Sequence, residues 1–133
     1  MTSRLSARIQ PPEELLPIIA NVAVGVIALL HVYFLVLEMF LWDKPAGLRA
    51  FGQTMDAAKA SKVLAANQGF YNGFLAAGLI WGLVLGPAGT GVKIFFLSCA
   101  LVAGLYGGVT ASRKILVVQA LPAAVALILV LQS

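Results

Sequence analysis

The stretch IIANVAVGVIALLHVYFLVLEMFL, residues 18–41, decides the fold class. Its strongly polar side chains are limited to Asn21, His31 and Glu38. A helix needs about 20 mostly apolar residues to cross a membrane, so the stretch predicts a transmembrane helix. The apolar run is far longer than the roughly 7–15 residues of a signal-peptide core, and it contains Glu38. We therefore expect an uncleaved membrane span.

Three more apolar stretches follow, at residues 63–85, 92–109 and 115–131. Backbone polar groups in hydrocarbon must be satisfied internally, and these segments lack the alternation of barrel strands. The chain is therefore predicted to be an all-α membrane protein, a four-helix up-and-down transmembrane bundle. The transmembrane domain covers residues 18–133 and follows a polar N-terminal tail at residues 1–17.

The composition excludes most soluble proteins. Of the 133 residues, 61% are hydrophobic and 11% are charged, whereas a soluble domain has roughly 45–50% and about 25%. A net charge of +4 suits anionic lipid head groups. We expect membrane lipids as partners and no nucleic acid, because the basic residues are accounted for by membrane topology.

Lysine and arginine positions predict the orientation, since cytoplasmic loops carry an excess of them. Six lie in the 43–62 and 111–114 loops, and three lie on the other side. The 43–62 loop is therefore predicted to be cytoplasmic and both termini outside, in a bacterial inner membrane. Residues 56–62 (DAAKASK) predict a short interfacial helix before the second span. The six basic residues of the two loops are Lys44, Arg49, Lys59, Lys62, Arg113 and Lys114. The three on the other side are Arg4, Arg8 and Lys93.

Polar side chains within the spans are the candidate site. His31 and Glu38 are spaced to share one face of the first helix, and antiparallel packing places the other polar residues near the depth of Glu38. Buried polar groups in membranes often mark function, so these residues predict a polar pocket for ligand binding or proton coupling. Snorkelling of Glu38, a core role for His31 and interhelical hydrogen bonding are the alternatives. The candidates are His31, Glu38, Asn67, Gln68, Tyr71, Asn72, Tyr106 and Gln119.

Glycines recur at GxxxG spacing, which lets helix backbones approach closely. Packing inside the bundle is the simpler interpretation, and a homo-oligomer through these glycine faces is the alternative. The pairs are Gly69/Gly73, Gly78/Gly82, Gly82/Gly86 and Gly104/Gly108. Pro122 predicts a kink in the fourth helix. With one histidine, one cysteine and no HExxH motif, neither a metal site nor a cofactor is evident.

Four motifs carry a resemblance to a known family. They are HVYFLVLEMFLW (31–42), KVLAANQGFYNG (62–73), AGLYG (103–107) and QALPA (119–123). Together they resemble a family of small bacterial and fungal membrane proteins called domain of unknown function 1304. The resemblance covers roughly residues 18–131 and implies a four-helix integral membrane protein, without supplying an activity.

Three classes of function remain open from the sequence. The first is a protein that binds a small, partly apolar ligand in the polar pocket, with transport as one form. The second is a membrane-embedded enzyme of isomerase or oxygenase type acting on a lipid-like substrate. The third is a structural or assembly protein whose polar residues hold the helices together without a ligand.

Overall fold

A computed structural model describes residues 13–133, and these residues form helices joined by short connections. The helices are α1 (Leu15–Met39), α2 (Pro45–Phe51), α3 (Met55–Val84), α4 (Thr90–Thr110) and α5 (Leu121–Gln132). A 3-10 turn, Gly86–Gly89, joins α3 to α4, and a π-helical turn, Leu116–Ala120, leads into α5. No strand occurs in the described part of the chain. The predicted all-α class is confirmed.

The four long helices form a ring in which each helix runs antiparallel to its neighbours. Helix α1 packs against α3 and α5, and α4 packs against the same two helices from the other side. Near the end of α1, Glu38 meets Asn72 of α3, and the second half of α4 meets the residues before α5. One end of the ring therefore carries α2 and the connection after α4, and the other carries the turn after α3.

Small residues fill the seams between these helices. A Cβ built on Gly69 would lie 2.8 Å from Met39 Cγ and 3.0 Å from Glu38 Cβ. Gly78 faces the Phe96 ring in the same way, and a Cβ on Gly104 would lie 2.8 Å from the backbone nitrogen of Ala120. These glycines face neighbouring helices of the same chain. The predicted homo-oligomer through glycine faces stays a prediction.

The outer surface of the ring is made of large apolar side chains. Val109 is 83% exposed and Val84 is 78% exposed, and many leucines, valines and phenylalanines of the long helices are similarly open. The buried core is instead dominated by alanines, with few large side chains such as Leu79 and Leu97. The interior of the ring is thus packed mainly with small side chains, and its outer surface carries large apolar side chains.

Two helical stretches are long and apolar enough to cross a membrane. They are Leu15–Met39, with a mean hydropathy of 2.3, and Gly86–Thr110, with 1.8. The apolar stretch Leu116–Gln132 is shorter. Helix α3 has ample length, but lysines in its first turns and the amides Asn67, Gln68 and Asn72 dilute its apolar character. The residues of the tail up to position 12 lie outside the described part of the chain.

The 43–62 loop differs from its prediction. Residues 56–62 are the first turns of α3, which runs unbroken from Met55, rather than a separate interfacial helix. The Thr54 side chain accepts a hydrogen bond from the backbone N–H of Ala57 at 3.2 Å, which is a typical N-cap. The short helix of the loop is α2 instead, and it ends at Gly52 with a φ of 60°, a conformation that glycine adopts without strain.

Pro122 is associated with a π-helical turn. The backbone N–H of Leu121 bonds to the carbonyl of Leu116, five residues earlier. A proline ring clashes with the carbonyl four residues before it, and proline has no N–H to donate to that carbonyl. The wider turn before Pro122 moves the preceding carbonyls away from the ring and so relieves the clash. Such single π turns within helices are frequent at functional sites.

Candidate functional site

The centre of the candidate site is a buried acid–amide pair, Glu38 with Asn72, which we call the Glu38–Asn72 pair. The Asn72 Nδ2 donates to Glu38 Oε1 at 2.8 Å across the α1–α3 seam. Glu38 is 6% exposed and Asn72 is 9% exposed. The seam positions both, because the absence of a side chain at Gly69 lets the two backbones approach beside Glu38.

Glu38 lacks a counter-ion within the described residues. One ion pair is present among residues 13–133, between Lys62 and Asp43, and no lysine or arginine of that range lies within 4.0 Å of the Glu38 carboxyl. A buried acid with one neutral hydrogen-bond partner is costly to keep in an apolar bundle. The cost is the physical reason to treat Glu38 as functional.

His31 lies two turns deeper on α1 and is completely buried. Its Nδ1 lies 2.8 Å from the carbonyl oxygen of Ile27, so Nδ1 carries the proton that this bond needs. The Phe34 ring packs edge-on against the imidazole, with ring centroids 5.6 Å apart. The other nitrogen, Nε2, is buried without a hydrogen-bond partner among the described residues. Within the described residues, His31 makes no hydrogen bond to Glu38 or Asn72.

Gln119 makes a separate contact between helices. Its Nε2 donates to the carbonyl oxygen of Ala100 on α4 at 3.1 Å. It belongs to the π-helical turn, so the wider turn sets the direction of this side chain toward α4. Gln119 therefore links α4 to the start of α5, away from the α1–α3 seam.

The remaining candidates lie on the outside of the ring. Tyr71 and Tyr106 are exposed, as are Asn67 and Gln68. Asn67 donates to the carbonyl of Val63 in its own helix at 2.9 Å. The structure brings together Glu38 and Asn72 but does not gather all eight predicted residues around one cavity. The small-residue seam of α3 sets the rotation of that helix, and this rotation turns Asn67, Gln68 and Tyr71 outward, whereas Tyr106 lies on the outer face of α4.

A buried lysine, Lys93, lies at the other end of the ring and was not predicted as a candidate. The sequence places Lys93 among the basic residues of the outer side, but its side chain is buried in the first turn of α4. Its Nζ donates to Asn21 Oδ1 of α1 at 2.9 Å, and its stem lies against Gly82. No pattern in the sequence signals this burial, because the room for the lysine stem comes from Gly82 on the facing helix.

Near the end of α1 that leads to α2, the chain is polar and basic. We call it the basic end. Lys62 Nζ lies 3.0 Å from Asp43 Oδ2, and this hydrogen bond holds the pKa of Asp43 below its usual value. Trp42 Nε1 donates to Ser61 Oγ at 3.1 Å. All six basic residues assigned to the 43–62 and 111–114 loops lie at this end, against the aspartates Asp43 and Asp56.

An open groove lies at the basic end of the ring. It has a volume of about 410 Å³ and lies on the outside of α1 and α3. The side chains that line it are Met39, Lys62, Val63, Ala66, Asn67 and Phe70. We call it the Lys62 groove. Met39, the chain neighbour of Glu38, lines the groove, whereas Glu38 and Asn72 are buried and do not line it.

No cluster of three or more histidine, cysteine, aspartate or glutamate side chains that could hold a metal ion occurs between residues 13 and 133. The site offers one carboxyl, one amide and an isolated imidazole. This set can hydrogen-bond a ligand or accept and release a proton at Glu38.

Comparison with known proteins places the chain in a family. Residues 25–131 match the family described as "Protein of unknown function (DUF1304)". The chain belongs to this family. This DUF1304 member is also similar to "Uncharacterized protein YpaA" of Lactococcus lactis subsp. lactis (strain IL1403). The two are 32% identical over 104 residues, covering 77% of this chain and 87% of the relative. No solved structure matches.

The family match confirms the resemblance drawn from the four motifs. It includes the Glu38–Asn72 pair, His31, Lys93 and Gln119, and it begins after the N-terminal tail. The candidate site of this DUF1304 member therefore lies wholly within the region that defines the family.

Proposed function

We propose that the protein is an integral membrane protein whose four long helices cross the bilayer and which binds a small, partly apolar ligand beside Glu38. Small residues inside and large apolar residues outside support membrane insertion. Helices gain nothing by hiding large apolar side chains from lipid, so membrane bundles place small residues at their interfaces. Helix α3 would then cross with its buried amide, Asn72, facing α1.

The charge distribution supports one orientation. The basic end carries six basic side chains, whereas the sequence assigns three to the other side, namely Arg4, Arg8 and the buried Lys93. The positive-inside rule assigns the basic end to the cytoplasm. Both termini of the described chain would then lie on the outer side, because α1 starts and α5 ends at the opposite end of the ring.

Cysteine labelling tests this topology. In a Cys99→Ser background, single cysteines at the exposed positions Ser112 and Asp56 mark the basic end, and a cysteine at Ser133 marks the opposite end. We expect a membrane-impermeant maleimide to label intact cells only in the Ser133→Cys variant. The two basic-end variants should react once the cells are opened. Labelling of all three variants from outside would contradict the four-span topology.

The Glu38–Asn72 pair is the observation that carries ligand binding. An acid inside the membrane-spanning part of a protein is expensive and typically functional. The single neutral partner of Glu38 leaves its carboxyl able to receive a second hydrogen bond or a cationic group. Met39, the last residue of α1, follows Glu38 in the chain and lines the Lys62 groove on the lipid side, so a ligand would reach Glu38 by displacing this side chain. Transport of the ligand is one form that this function could take.

Ligand-dependent stability tests the proposal. The detergent-purified protein is melted against lipids, quinones and amphipathic cations. A ligand at about 100 times its Kd should stabilise the folded state by about 2.7 kcal/mol. We expect one chemical class to do so and Glu38→Gln to abolish the effect. The glutamine can still accept the Asn72 hydrogen bond, so the fold should be retained.

Glu13→Gln is the matched control, because it makes the same substitution at an exposed position before α1. It should keep the full ligand response. If no class of ligand stabilises the wild-type protein, or if both variants respond alike, binding at Glu38 is wrong.

A structural role is the second candidate, and a specific observation favours it. Three polar side chains reach across helix interfaces: Asn72 to Glu38, Lys93 to Asn21, and Gln119 to the Ala100 carbonyl. Each ties a different pair of helix segments. If these contacts exist only to hold the bundle, removing any of them lowers stability and no ligand changes it.

A further inference from the structure

We propose that the Lys62 groove is a binding site for an anionic phospholipid of the cytoplasmic leaflet. The proposal rests on the membrane insertion inferred above. It does not depend on ligand binding at Glu38. The groove is open to the outside of the ring, where lipid would surround the helices.

The order of side chains along α3 fits such a lipid. Lysine, two small apolar residues, asparagine and phenylalanine line one face of the helix, at Lys62, Val63, Ala66, Asn67 and Phe70. With a rise of about 1.5 Å per residue, Asn67 lies roughly 7.5 Å deeper than Lys62, and Phe70 roughly 12 Å deeper. A phosphate, ester and acyl chain follow one another in the same direction along a phospholipid.

Each part of the groove has a matching chemical group. The Lys62 side chain is 57% exposed and lies 3.0 Å from Asp43. Its chain neighbour Ser61 accepts a hydrogen bond from Trp42. Asn67 donates one amide hydrogen to the Val63 carbonyl. Its second amide hydrogen is available to donate to a lipid ester oxygen. Met39 and Phe70 form apolar walls below. Charge complementarity decides the class of lipid, because the groove opens at an end with six basic side chains.

Asp43 is the internal competitor of the phosphate. Its carboxylate holds Lys62 at 3.0 Å in the structure, so a lipid phosphate must share or replace this contact. Removing the Asp43 charge should therefore strengthen lipid binding, and removing the Lys62 charge should weaken it. A general change in surface charge would give the same two signs, so the comparison with a second lysine outside the groove decides whether the effect is specific to Lys62.

The test measures phosphatidylglycerol and phosphatidylcholine binding to the detergent-purified protein by native mass spectrometry. We expect phosphatidylglycerol to bind more tightly. Lys62→Gln should lower its affinity about fivefold, from the loss of one lysine at a charged surface. Asp43→Asn should raise it. Phe70→Ala should weaken both lipids.

Lys59→Gln is the matched control, since Lys59 lies one turn earlier on α3, is exposed and does not line the groove. It should leave phosphatidylglycerol affinity nearly unchanged. Equal losses in Lys59→Gln and Lys62→Gln, or equal binding of the two lipids, would overturn the proposal. So would Lys62-dependent binding of laurate without phosphatidylglycerol, which would assign the groove to a free fatty acid.

Failure of membrane insertion is distinguishable from failure of the lipid site. A protein that stays in solution without detergent or lipid contradicts the proposed function itself. A protein that is recovered in the bilayer fraction but shows no preference for phosphatidylglycerol contradicts only the lipid site.

Discussion

Gly104→Ala is expected to lower the free energy of unfolding by about 1–3 kcal/mol, the usual cost of forcing an extra methyl group into a packed interior. The new Cβ would lie 2.8 Å from the Ala120 backbone nitrogen and 3.0 Å from its Cα. Backbone atoms cannot rotate away as a flexible side chain can. The α4–α5 interface must therefore separate, which also disturbs the hydrogen bond from Gln119 to the Ala100 carbonyl.

Gly25→Ala is the matched control in the middle of α1. No heavy atom of a neighbouring segment lies within 4 Å of its Cβ position. Alanine is a better helix former than glycine by about 1 kcal/mol, so this variant should be neutral or stabilised. Equilibrium unfolding in mixed detergent micelles measures both. Equal midpoints for the two variants would contradict the close approach at Gly104.

The helices themselves were predictable from the sequence. The long apolar runs placed three of the four long helices to within a few residues, when the π-helical turn is counted with α5. The exception was the start of α3, which was predicted at residue 63 and lies at Met55. The apolar run begins where the sequence stops being polar, whereas the helix begins at its N-cap. Thr54 caps α3 at a point where the chain is still polar, about five turns before Asn72.

The rotation of each helix was not predictable from depth alone. Asn67, Gln68, Tyr71 and Asn72 all lie at similar depth, but the seam through Ala65, Gly69 and Ala76 decides which of them faces α1. Only Asn72 of the four is buried there. Lys93 was missed for a related reason: its burial depends on Gly82 of the facing helix, a long-range contact that periodicity in one helix cannot reveal.

Asn72→Leu is expected to destabilise the bundle by about 1–3 kcal/mol, because it removes the hydrogen-bond partner of a buried carboxyl. Asn67→Leu is the matched control on the same helix. Asn67 is exposed and bonds only within α3 in the described structure, so its replacement should change stability by no more than about 0.5 kcal/mol. Unfolding midpoints of the two variants give the comparison directly.

The double variant Glu38→Leu/Asn72→Leu separates the functional interpretation from the structural one. Replacing both partners with apolar groups of similar size is often neutral or stabilising, so the double variant should be more stable than Asn72→Leu alone. A stable double variant that no longer responds to ligand means that the pair is kept for binding at a cost in stability. If it is less stable than either single variant, the pair is instead a structural contact, and the α1–α3 seam depends on it.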